Sequence, residues 1–150
     1  MALLGVGLAA ALNRPAAAAE PRVAECGAGL ARQADHLSRY KRDVACRIHA
    51  RNPAHLYDGA PPPVLRSVVV LSVRVDARGR PSRIRVVRSN GIRVLERRAI
   101  QSVQAAAPLP IPAAALLRRG ATDITETWLF RDDGRFQVRT LAQVQSPSGY

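Results

Sequence analysis

The sequence predicts an α+β domain: a small antiparallel sheet of three to four strands, in strand-strand-helix-strand order, with helices packed on one face and an amphipathic helix ahead of it. Three observations carry that prediction. Residues 68–91 read as two strands joined by a Gly-containing turn and running into a helix start. Residues 92–107 bear apolar side chains at helical spacing. Residues 124–141 read as a further strand pair.

In the first strand, residues 68–76, Val69, Leu71, Val73 and Val75 share one face, and Ser72, Arg74 and Asp76 share the other. Asp76-Ala77-Arg78-Gly79 supplies the turn, with Gly79 free to take a positive φ. The second strand, residues 82–88, sets Ile84 and Val86 toward the core and Arg83 and Arg85 toward water. Ser89 and Asn90 are placed to cap the following helix. In that helix Leu95, Ala99, Val103 and Ala106 form one stripe with Ile100 beside it, and Pro108, Pro110 and Pro112 end it. Residues 122–130 form a long strand rich in Thr, Ile and aromatics. Asp132-Asp133-Gly134 then turns the chain, and residues 136–139 return as a short strand.

Ahead of the sheet, Leu30, Ala34, Leu37, Tyr40, Val44, Ala45 and Ile48 recur at steps of mostly three and four, one face of an amphipathic helix. Asn52-Pro53 ends it, because a residue before Pro avoids the α region, and Pro61-Pro62-Pro63 is a stiff extended connection. The reading of this helix is packing on its own sheet, with a partner-binding role as the alternative. The chain thus divides into residues 1–19, a targeting segment; 20–63, a helical extension with a Pro-rich exit; 64–141, the core domain; and 142–150, a flexible tail.

The targeting segment begins with the uncharged run MALLGVGLAAAL, and Ala17 and Ala19 are the small residues that precede a signal-peptidase cut before Glu20. No Lys or Arg follows Met1, so an atypical signal and a true start lying upstream are both open. The run stops at Asn13-Arg14-Pro15, short of the roughly 17–25 apolar residues that span a bilayer. The expectation is export to the periplasm, with association to the inner membrane through an uncleaved N-terminus as the alternative.

A net charge of +12 favours polyanions at low salt. The basic residues are nearly all Arg, with Lys41 the exception, and they alternate along strands and scatter over helices. Aromatics for stacking are few: Tyr40, Tyr57, Trp128, Phe130, Phe136 and Tyr150. A solvated basic surface with no specific nucleic-acid partner is expected; a scaffold that binds polyanions or the envelope surface is the alternative function. Cys26 and Cys46 are the two cysteines, and in an exported protein they can pair. One straight helix would hold them about 30 Å apart, so the bond requires a chain break, which Gly27 and Gly29 offer. A loop of this size closed by a disulfide gains about 3 kcal/mol. His36, His49 and His55 form no compact ligand spacing with the cysteines, so no metal is expected. No cofactor is expected either. With no paired carboxylates, no Ser/Cys–His signature and no phosphate loop, the chain reads as a non-enzyme.

The run VVLSVRVDARGRPSRIRVVRSNG, then LERRAIQSVQAAAPLPIP, then ETWLFRDDG resembles the C-terminal domain of TonB-type energy transducers over residues 64–141, and the TolA C-terminal domain shares the architecture. The resemblance implies a periplasmic module of envelope transport that takes an extended peptide from an outer-membrane or envelope protein by strand addition, in which backbone hydrogen bonds supply affinity. It places the accepting edge at Ile124, Thr125, Glu126, Thr127, Trp128, Leu129 and Phe130, with plain core packing as the competing role for Trp128 and Phe130. The chain shows neither an inner-membrane helix nor a long Pro-rich spacer, so a freestanding module is expected, contacting membranes only through partners or its N-terminus. Strand exchange within such domains leaves a homodimer open.

Overall fold

The computed structural model describes Cys26 and residues 36–142. The expected signal at 1–19, the tail from 143 onward, and the apolar positions Leu30 and Ala34 fall outside the described residues. Helix α1 is His36–Arg51. Strands β1, Ser67–Asp76, and β2, Pro81–Arg88, form a hairpin; helix α2 follows at Arg93–Ala106. Strands β3, Ala121–Phe130, and β4, Phe136–Val138, form the second hairpin. The four strands make one antiparallel sheet in the order β2-β1-β3-β4. This is an α+β fold whose strand boundaries lie within a residue or so of those read from the alternation of apolar and polar side chains.

Both helices contribute to one core against one face of the sheet. Val69, Leu71, Val73 and Val75 of β1 and Ile124, Trp128 and Phe130 of β3 meet Leu95, Ala99, Val103 and Ala106 of α2. Tyr40, Val44, Ala45 and Ile48 of α1 belong to the same cluster. The helix that precedes the sheet in sequence is therefore a structural layer of the sheet's own core. Leu37 departs from the amphipathic reading; it is 41% exposed, one turn before the buried stripe begins. Three polar contacts tie α1 to α2 and the loop beyond it. The Tyr40 hydroxyl donates to the Pro110 carbonyl at 2.9 Å, Arg47 Nε donates to the Ala106 carbonyl at 3.2 Å, and Asn52 Nδ2 donates to the Ile48 and Ser102 carbonyls at 2.8 and 3.0 Å. The Arg47 bond satisfies a carbonyl that the end of α2 leaves without an intrahelical partner.

Cys26 is bonded to Cys46 of α1, with the two Cα atoms 5.7 Å apart. That distance excludes a single helix running through both residues. Closing a loop of this length restricts the unfolded chain and contributes on the order of 3 kcal/mol.

Two expectations change. Ser89 and Asn90 do not cap α2, which starts without a side-chain cap at Ile92. The Ser89 hydroxyl instead donates to Glu96 and accepts from the Gly91 N–H, while Asn90 binds the Ser67 hydroxyl and the Arg66 carbonyl. These residues fasten the β2–α2 junction onto β1. Val86 was expected to face the core but is 38% exposed. It lies on the outermost strand beside a register shift between Val70 and Leu71, where a sheet margin leaves its core face partly open.

His49 links α1 to the last strand: its Nε2 accepts the Val138 N–H at 3.1 Å. Burial pushes its pKa down to about 4, because desolvation disfavours the imidazolium. A folded-state pKa below the unfolded one means that the unfolded chain binds the extra proton. The contribution of neutral His49 is then full above about pH 6.5 and is lost as pH falls toward 4. Allowing for partial exposure, His49 is expected to account for about 2 kcal/mol of acid destabilisation across that window. Urea unfolding of wild type and His49→Gln at pH 7 and pH 4.5 checks this; an equal drop in both proteins would refute it.

Candidate functional site: the open edge of strand β3

Strand β3 pairs with β1 along its whole length, from Ala121 opposite Asp76 to Phe130 opposite Ser67. On its other side β4 covers only Trp128, Leu129 and Phe130. At the opposite end Ala121 exchanges backbone hydrogen bonds with Arg118 across a tight turn. Between them, the outer side of β3 has no strand partner among the described residues.

The hydrogen-bond pattern shows which backbone groups face outward. In an antiparallel strand, each residue sends its N–H and C=O to the same side, and sides alternate. Ala121 turns outward to Arg118, and the Thr127 N–H turns outward to a side chain, the Glu126 carboxylate, at 2.7 Å. Leu129, two residues further on, meets Gln137 of β4. The outward set is therefore the odd-numbered one, and Asp123, Thr125 and Thr127 present their backbone polar groups along the open edge.

The neighbouring edges are closed or blunted. The chain after α1 returns along the far side of β4, where Leu56 bridges Phe136 in parallel and the Tyr57 N–H donates to the Phe136 carbonyl at 3.4 Å. Gln137 Nε2 secures that segment by donating to the Tyr57 and Gly59 carbonyls at 2.7 and 2.9 Å. At the opposite margin of the sheet, β2 begins at Pro81, carries exposed Arg83, Arg85 and Arg88, and pairs with β1 through two register shifts. Proline, charge and bulges all discourage further strand pairing.

Beside the open stretch of β3 lies a groove of about 410 Å³ lined by Lys41, Thr125, Glu126, Thr127, Arg139 and Thr140. Helix α1 supplies Lys41, and the short 3₁₀ turn Arg139–Leu141 after β4 supplies the other wall. Two cationic side chains and one carboxylate thus flank the edge. On the opposite face of the sheet, Asp123 is paired with Arg74 of β1 at 2.7 Å.

The seven residues singled out from the sequence divide cleanly. Ile124, Trp128 and Phe130 are buried in the core, at 3%, 0% and 0% exposure. Trp128 Nε1 donates to the Ser102 hydroxyl at 2.9 Å, and Phe130 packs its ring 5.7 Å from that of Phe136. Thr125 is exposed, Thr127 and Leu129 are half-buried, and Glu126 is buried at 5%. The edge read as 124–130 thus narrows: β4 takes its last three residues, and the open stretch reaches back to Asp123. Lys41, Arg139 and Thr140 were not foreseen as a set, since nothing local in the sequence relates position 41 to position 139. The described arginines lie on both helices, on β1 and β2 and in the loops, and Arg74, Arg83, Arg85 and Arg88 share the sheet face away from the helices. Among the described residues, no group of three His, Cys, Asp or Glu side chains could hold a metal. No described helix is long and apolar enough to cross a membrane.

The described residues form an α+β domain, a two-helix layer on a four-stranded antiparallel sheet with one strand edge left open beside a groove. Residues 65–130 match the family model described as the Gram-negative bacterial TonB protein C-terminal, and this part of the chain is a TonB-family C-terminal domain. The family comprises interaction domains of envelope transport and is not an enzyme family. No curated protein and no solved structure matches the chain. Helix α1, strand β4 and the turn after it, with Lys41, Arg139 and Thr140, lie outside the matched residues.

Proposed function

We propose that the protein is a periplasmic interaction module that binds an extended segment of an outer-membrane or envelope protein by adding it as a strand beside β3. The observation that carries this reading is the open stretch of β3, where Asp123, Thr125 and Thr127 turn their backbone groups away from β1, the last two beside a groove. Strand addition draws its affinity from such groups and its selectivity from the side chains beside them. β4 ends opposite Trp128, so an added antiparallel strand continues its line. The family match supports an envelope partner. The Cys26–Cys46 bond fits an oxidising compartment reached after export through residues 1–19. The work is done by backbone geometry and two flanking cations, without a cofactor.

Thr125→Pro tests the reading. Its N–H points outward, so proline removes a donor from the open edge while the ladder to β1 stays intact. Recovery of outer-membrane proteins from envelope extract by immobilised wild type is expected to fall at least about 10-fold for the variant. Near-ultraviolet circular dichroism shows whether the fold is kept. The wild-type interaction is expected to persist at high salt, where phosphate-type binding fades steeply. Retention of the same partners by a folded Thr125→Pro protein would overturn strand addition.

A further inference from the structure

Glu126 stands where the alternation of β3 calls for an apolar residue. Its neighbours on that face, Ile124 and Trp128, are core side chains, and Glu126 itself is 5% exposed. A buried carboxylate is costly unless it is hydrogen-bonded. Glu126 does not point into the core. It turns to the strand edge and accepts the N–H of the next residue, Thr127, at 2.7 Å. That N–H is one of the outward-facing donors of the open stretch, the one next to the end of β4. An incoming strand in line with β4 needs this same N–H for one of its carbonyls. The carboxylate and the partner strand therefore compete for one donor.

The geometry points to Glu126 as a built-in guard of the open edge, a side-chain acceptor that must be displaced before any strand, from a partner or from a second copy of this chain, can pair at Thr127. This rests on the strand-addition reading above and adds a control to that site. An unguarded row of N–H and C=O groups on a regular ten-residue strand is a template for edge-to-edge self-pairing, and an inward-placed charge is one way to suppress it. Displacement has somewhere to go: Lys41 and Arg139 line the same groove and can receive the freed carboxylate. The guard thus raises the threshold for weak or accidental pairing and leaves a strand with a full set of backbone bonds able to bind. Asp123 and Thr125 carry no comparable cap, since the Asp123 carboxylate is held by Arg74 on the other face. The edge is then guarded at one end, beside β4, and open at the other.

The test uses the full chain, Glu126→Leu and Glu126→Gln, with three readouts. The first is amide hydrogen exchange followed by NMR. In the wild type Thr127 is expected to exchange about 10-fold or more slowly than Thr125, which faces the same edge without an acceptor. Glu126→Leu is expected to abolish that difference, and Glu126→Gln, which keeps a carbonyl oxygen, to retain most of it. The second is self-association by sedimentation equilibrium, which Glu126→Leu is expected to strengthen about 10-fold. The third is binding of a synthetic probe strand, acetyl-Thr-Val-Thr-Val-Thr-Lys-amide, expected to tighten by a similar factor in Glu126→Leu. Unchanged exchange at Thr127 in Glu126→Leu overturns the guard, whatever the probe does. Altered exchange with stronger self-association, but no probe binding by either protein, upholds the guard against self-pairing and counts against strand addition by partners. Altered exchange with neither self-association nor probe binding strengthened overturns the guard as a control of pairing.

Discussion

Replacing Trp128 with alanine is expected to remove about 3–5 kcal/mol of stability, the range for deleting a large aromatic from a packed core. Trp128 is fully buried near the C-terminal end of β3, opposite Val69 of β1 and Val138 of β4. Its ring lies where both helices close over the sheet, so neighbouring side chains cannot collapse into the space without disturbing several elements at once. The indole is also the donor in a short relay. Trp128 Nε1 donates to the Ser102 hydroxyl at 2.9 Å, and that hydroxyl donates to the Ala99 carbonyl at 2.7 Å. Trp128→Phe keeps most of the apolar volume and gives up the indole donor, so it is expected to cost about 1–2 kcal/mol. Ser102→Ala leaves the indole N–H buried and unpaired, and about 1–3 kcal/mol is expected. Urea denaturation of the three variants checks the order. A Trp128→Ala loss no larger than that of Trp128→Phe would show that the ring is not a keystone of the core.

The second large effect is expected at Gly79, in the β1–β2 turn. Its φ of +80° is one that side chains with a Cβ adopt at a cost of roughly 1–2 kcal/mol. Space is a further obstacle. A Cβ on Gly79 would fall 2.1 Å from the Leu109 carbonyl oxygen, while the Leu109 N–H donates to the Gly79 carbonyl at 2.7 Å. The loop after α2 is thus seated directly on the hairpin turn, and Leu109 is 3% exposed there. Gly79→Ala must either unseat that loop or distort the turn, and roughly 2–4 kcal/mol is expected in all. Gly120→Ala is the control. Its φ is +77°, but nothing lies within 4 Å of its would-be Cβ, so only the conformational cost applies. Equal losses for the two variants in urea denaturation would mean that the contact with Leu109 carries no weight.

Much of the fold was legible because its signals are local. The alternation of Val69, Leu71, Val73 and Val75 marks a half-buried strand whatever surrounds it, and the spacing of Leu95, Ala99, Val103 and Ala106 marks a helix face. The Asp-x-x-Gly turn at Asp76 is equally self-contained. Its carboxylate accepts the Arg78 and Arg80 N–H groups at 2.8 and 2.9 Å, and those bonds, led by that of Arg80, hold its pKa below the usual carboxylate range. Misreadings arose where a local signal met a distant competitor. Ser89 and Asn90 have the chemistry of helix caps, yet Ser67 and Glu96 offered partners that engage them more fully. Val86 has the parity of a core residue, but it sits on the outermost strand beside a register shift, where burial is incomplete.

The candidate site was only half legible. The strand that carries it could be read from its Thr, Ile and aromatic content, and Trp128 and Phe130 were correctly weighed as core candidates. Which part of that strand is an edge could not be read, because an edge is defined by what fails to pair with it. β4 is only three residues long and covers Trp128, Leu129 and Phe130, a fact that depends on where the 3₁₀ turn at Arg139 carries the chain away. Glu126 reads from the sequence as one member of the accepting edge, with nothing to single it out from its neighbours there. Its role as the acceptor for Thr127 emerges only once that stretch of β3 is seen to have no strand partner on its outer side among the described residues.

The sequence by itself determined the secondary-structure elements, their order, the turn chemistry and the family resemblance, since each is written in residues close together along the chain. Whereas the packing of α1 on its own sheet was already read from its apolar face, tertiary structure alone decided the strand order β2-β1-β3-β4, which stretch of β3 is left open, and the meeting of Lys41 and Arg139 beside it. Those features depend on pairings between segments dozens of residues apart. Their free energies come from shared burial and from backbone bonds to a neighbour, and neither leaves a periodic trace in the segments that take part.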